Sequence, residues 1–131
     1  MLAAVGTFVT ALVASISYMQ SRRLERAKWT LSLYEKFYER PELKSVREVL
    51  DSESDSQGVN DLLLACPPEF TDYLNFFEYV AFLERKDQLK REEVEALFDY
   101  YIKCFNRHPR VIKFIADNGY EELSRMLGDW K

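Results

Sequence analysis

No charged residue occurs from Met1 to Met19, and beyond Arg22 apolar residues recur at helical spacing almost to the end of the chain. Leu24, Ala27, Leu31, Tyr34, Phe37 and Tyr38 keep three- and four-residue steps through Arg22 to Arg40, a stretch without Gly or Pro, so the apolar run is predicted to continue as one helix. Pro41 suits the first position of a new helix, and Arg40 before it is biased out of the helical region. That helix runs through Leu43, Val46, Arg47, Val49 and Leu50. Asp51 to Gly58 replaces periodic residues with loop formers, Asp61 to Ala65 adds a short helical turn, and Cys66-Pro67-Pro68 closes it.

Thr71 or Asp72 is the predicted cap of the next helix. Phe70, Tyr73, Leu74, Phe77, Val80 and Ala81 fill one side of it, and Phe76, Tyr79, Phe82 and Leu83 much of the rest. A helix apolar nearly all round is surrounded by others, which makes this segment the predicted centre of a bundle. After the polar connection Glu84 to Lys90 come Val94, Leu97, Phe98, Tyr101, Cys104 and Phe105, the cleanest amphipathic pattern in the chain. Pro109 restarts the helix for Val111, Ile112, Phe114 and Ile115; Asn118-Gly119 stops it in a left-handed turn; Tyr120, Leu123, Met126 and Leu127 make the last. The predicted class is all-α, with five or six helices.

The opening run reads as a membrane anchor over residues 1–20, with residues 21–131 as a cytoplasmic helical domain. Nineteen helical residues rise about 28 Å, close to the roughly 30 Å hydrocarbon thickness. A cleavable signal peptide places its positive charge before the apolar run. Here Arg22, Arg23, Arg26 and Lys28 follow it, which orients the amino terminus outside and the remainder in the cytoplasm. The same four residues are candidates for contact with anionic headgroups. Ala3, Gly6, Thr7, Thr10, Ala11, Ala14 and Ser15 form a small-residue face, and small residues let a second membrane helix approach closely. The expected partners are therefore the bilayer and a membrane protein, or a second copy, packed on the anchor.

Composition changes this picture little. The apolar fraction of 47% and aromatic fraction of 15% support a packed domain. Net charge is −4, without the basic surplus of a nucleic-acid binder, so none is expected as a partner. Cys66 and Cys104 are expected to remain thiols in a cytoplasmic domain.

Candidate chemistry is sparse. Glu78 sits within the helix that is apolar nearly all round, where a buried carboxylate needs a partner such as Lys103, Arg107 or a tyrosine hydroxyl. Cys104 and His108 lie one helical turn apart, but His108 is the sole histidine and a zinc site needs more ligands. The acidic loop at Asp51, Glu53 and Asp55 has Ser56 and Leu62 where a calcium loop carries glycine and glutamate. Phosphate loops and serine elbows are absent. Neither metal nor cofactor is expected, and an enzyme or metal-binding bundle would have to use Glu78, Cys104 and His108.

The segment Leu74-Asn-Phe-Phe-Glu-Tyr-Val-Ala-Phe-Leu, with the following polar turn, Val94 to Phe105 and the late Tyr120-Glu-Glu-Leu, resembles a group of uncharacterised bacterial proteins. These have one amino-terminal membrane helix and a small cytoplasmic helical domain. The resemblance implies that topology, and it matches the group's Phe-Glu pair to Phe77 and Glu78. Together these features lead to the expectation of a single-pass interaction module that is not an enzyme: an accessory or scaffolding subunit of a membrane complex.

Overall fold

A computed structural model describes the backbone from Leu2 to Lys131 and the side chains from Gly6 onward. The described residues form seven α-helices and no strand: α1 (Leu2–Glu39), α2 (Pro41–Leu50), α3 (Gln57–Ala65), α4 (Pro68–Arg85), α5 (Arg91–Asn106), α6 (Pro109–Asp117) and α7 (Glu121–Asp129). Prolines open α2, α4 and α6, where their missing N–H leaves no bond unmade. Gly119, at φ +84°, supplies the left-handed turn between α6 and α7.

Two of these helices depart from the pattern reading. The short turn expected at Asp61 is a nine-residue helix, α3, that begins at Gln57 and takes in Gly58. Ser56 caps it by accepting the Val59 N–H at 3.3 Å. A Cβ on Gly58 would lie 3.3 Å from a Val49 methyl, so α2 approaches where a larger residue would crowd it. In α4 the start is Pro68, three residues ahead of the predicted Thr71 cap, with extended Pro67 leading in.

The chain divides into two compact units, Met1–Lys36 and Phe37–Lys131. In the first, every described side chain from Gly6 to Glu25 is exposed, including Phe8, Val9, Leu12, Val13 and Ile16. Among the described residues no helix is long and apolar enough to cross a membrane. Among residues with described side chains the uncharged stretch runs from Gly6 to Ser21, short of the roughly 20 residues a span takes.

In the second unit α4 is central and packs chiefly against α2 and α7. The core is aromatic. Phe37, fully buried, meets the rings of Tyr73, Phe76, Phe77, Phe98 and Tyr101 at centroid distances of 5.1–5.9 Å, several edge to face. Arg47 lies over Phe37 and Tyr38 and donates to the Phe37 carbonyl at 3.1 Å, satisfying one of the orphan acceptors at the end of α1. At the far end, Trp130 donates to Asp99 Oδ1 at 2.9 Å beneath the Arg91 guanidinium, which also bridges to Glu84. α4 is not covered all round: Tyr79 and Phe82, expected to complete its buried surface, are 49% and 39% exposed.

The Tyr73 hydroxyl is buried with no hydrogen-bond partner among the described residues. Burial pushes its ionisation well above the ordinary tyrosine range. An unsatisfied buried hydroxyl costs about 1–3 kcal/mol, so Tyr73→Phe is expected to stabilise the fold by about 1 kcal/mol in urea titration. The sign extends to pH. A group whose folded pKa lies above its unfolded one contributes fully below the unfolded value, about 10, and loses that contribution as pH rises beyond it. The advantage of Tyr73→Phe over the unaltered protein should therefore widen above pH about 10; a constant or shrinking difference would contradict this account.

Candidate functional site

The three residues with chemical potential are each held by different parts of the fold. Glu78, on α4, is half-buried rather than buried, and its partner is none of the expected side chains. Its two oxygens accept the backbone N–H groups of Glu122 at 3.0 Å and Leu123 at 2.6 Å. These are second and third residues of α7, whose first-turn donors lack partners within the helix. The negative charge also faces the positive end of the helix dipole. Glu78 thus caps a helix from 44 residues away, and Arg125 and Arg85 gather on Glu122 beside it.

Cys104 is buried in α5, and burial pushes its thiol up against the lowering pull of Arg107. An activated nucleophile needs the opposite shift. Above it at the surface, Tyr100 donates a hydrogen bond to Asp51, and Arg107 reaches the same carboxylate at 3.5 Å. Cys66, the other thiol, is exposed, and both cysteines are free.

His108 is fully buried. Its Nδ1 accepts the Asp55 N–H at 3.1 Å, and its Nε2 lies 2.8 Å from the Leu50 carbonyl. A carbonyl only accepts and an amide N–H only donates, so the tautomer that satisfies both carries its proton on Nε2. The ring therefore ties the end of α2 to the loop before α3. Asp55 holds a left-handed backbone there (φ 49°), and its carboxylate accepts the Arg110 N–H at 3.4 Å. Neither nitrogen of His108 is left for a substrate or metal. Among the described residues no group of three or more His, Cys, Asp or Glu side chains comes together as a metal site would require.

Two open hollows lie on the second unit. One of about 350 Å³ is lined by Leu63, Arg110, Lys113, Phe114, Asp117 and Asn118, but Lys113 is paired with Asp117 and Arg110 donates to Asn60. Glu78, Cys104 and His108 line neither this hollow nor the one beside α5.

The residues of the small face are arranged differently. Gly6, Thr7, Thr10, Ala11, Ala14 and Ser15 all lie exposed on α1, whereas the Ala3 side chain is outside the described residues. Thr10 donates to the Gly6 carbonyl and Ser15 to the Ala11 carbonyl, both at 2.9 Å, so these hydroxyls are satisfied within their own helix. A Cβ built on Gly6 meets nothing within 4 Å. Arg22, Arg23 and Lys28 are exposed and Arg26 is half-buried; the Arg22 guanidinium stands 5.8 Å from the Tyr18 ring, where the apolar run ends.

Two groups that helical spacing does not single out organise the fold: Arg47 and the Asp55–His108 pairing. Neither has a local signal, since each partner lies ten or more residues away. No family model, curated protein or solved structure matches this chain.

Proposed function

We propose that the chain is a single-pass, membrane-anchored helical interaction module, an accessory or scaffolding subunit whose α1 packs against another membrane protein. The observation that carries this reading is the exposure of every described side chain from Gly6 to Glu25, in a helix that is uncharged up to Gln20. An uncharged helix with Phe, Val, Leu and Ile on its surface is stable when lipid or protein covers it. The hydroxyls folded back onto backbone carbonyls suit a medium without water. Counting from Met1, the uncharged run reaches the length of a short span, and Tyr18 with Arg22 and Arg23 suits the cytoplasmic boundary. The small face at Gly6, Thr10 and Ala14 then offers close approach to a second helix.

The test uses the full chain in its native membrane. The protein should resist alkaline carbonate extraction, and Gly6→Leu, for which the chain itself leaves room, should reduce the size of the complex in mild detergent. Release by carbonate rejects the anchor; an unchanged complex with Gly6→Leu rejects the packing face alone.

A further inference from the structure

Between Arg23 and Tyr34, α1 is apolar on two opposite sides. Leu33 is buried, and it lies nine residues, or about two and a half turns, beyond Leu24. On Leu24's own side, Leu24 and Leu31 are 57% and 55% exposed, and Ala27 is exposed between them. Leu24, Ala27, Leu31 and Tyr34 follow one another at steps of three, four and three, the alternation of a coiled-coil seam. Arg23 flanks this seam on one side and Lys28 on the other; both are exposed, and among the described residues neither has an ion pair.

Those two charges choose the occupant. In a parallel pair, which a shared membrane orientation would impose on a second copy, the residue before one seam position faces the flanking residue five further along the other helix. Arg23 would face Lys28 of the copy, and symmetry would repeat the clash. Like charges at these positions oppose pairing. A helix with Asp or Glu there meets the same two residues favourably. Glu35, one heptad after Lys28, confines that acidic requirement to the amino-terminal part of the seam.

We propose that the Leu24–Ala27–Leu31–Tyr34 side of α1 docks a helical segment of a different protein, apolar along its own seam and acidic where it meets Arg23 and Lys28. This deepens the interaction reading and rests on it for a protein partner and, through the parallel orientation that sets a second copy aside, for membrane insertion.

The experiment uses the full chain in a non-ionic detergent with two synthetic three-heptad helices sharing a Leu/Ala seam. One carries Glu opposite Arg23 and Lys28, the other Lys. Fluorescence anisotropy should give about tenfold tighter binding of the Glu helix, the size expected from a few exposed charge pairs plus the avoided repulsion. The double variant R23E/K28E should reverse the preference, and L24N/L31N should abolish binding of both. Equal affinity, no binding of either helix, or a charge preference that survives L24N/L31N overturns the proposal. So does a full-chain dimer cross-linked through the Leu24 side, which would place a second copy there. The anchor, judged by carbonate extraction, stands or falls independently of these results.

Discussion

Phe37→Ala is expected to cost the second unit about 3–5 kcal/mol, the range for emptying a large aromatic site in a packed core. The side chain is fully buried and sits where the rings of α4 and α5 converge: Phe76 and Phe77 from the former, Phe98 and Tyr101 from the latter. Removing it deletes ring contacts on several sides at once and takes away the surface on which Arg47 lies. A single domain is stable by about 5–15 kcal/mol, so the loss is a large share of the total. Urea unfolding followed by near-ultraviolet circular dichroism should show a midpoint shifted far down, with Phe37→Leu intermediate. If the alanine variant unfolds within about 0.5 kcal/mol of the parent, as a surface change would, Phe37 is not the hub assigned to it.

The helices of this chain were legible because their apolar residues repeat at helical spacing and prolines mark three of their starts. α3 was legible only in its second half: a glycine costs about 1 kcal/mol inside a helix, so Gly58 reads as loop until the approach of Val49 is known. Periodicity also identifies apolar faces without saying what covers them. Tyr79 and Phe82 read as core and lie exposed; Leu24, Leu31 and Phe37 belong to one helical pattern, yet of these three only Phe37 is buried. Glu78 stood out by composition, and its oddity was informative, but its partners are backbone N–H groups of a helix that follows much later. Backbone donors carry no residue-type signal, so side-chain pairing with Lys103 or Arg107 was the natural and incorrect expectation. The hydroxyl of Tyr73, buried and unsatisfied, is likewise invisible until the packing around it is seen.

His108→Ala is expected to destabilise the second unit by about 3 kcal/mol, combining a buried cavity with two backbone groups left without a partner. The ring is fully buried, and it connects the Leu50 carbonyl at the end of α2 with the Asp55 N–H ahead of α3. That loop turns at Asp55 through a left-handed backbone, a conformation Asp accepts more readily than most residues with a side chain. The effect should therefore be local as well as global. Hydrogen exchange at the Asp55 amide should accelerate more than the fall in global stability accounts for, because its acceptor has gone. His108→Gln, which keeps a polar end able to donate and accept, should recover part of the stability. A catalytic histidine predicts the reverse: a protein as stable as the parent, or more so, that has lost a turnover. Unchanged unfolding and unchanged Asp55 exchange in His108→Ala would free the imidazole for such a role and reopen the reading of this bundle as an enzyme.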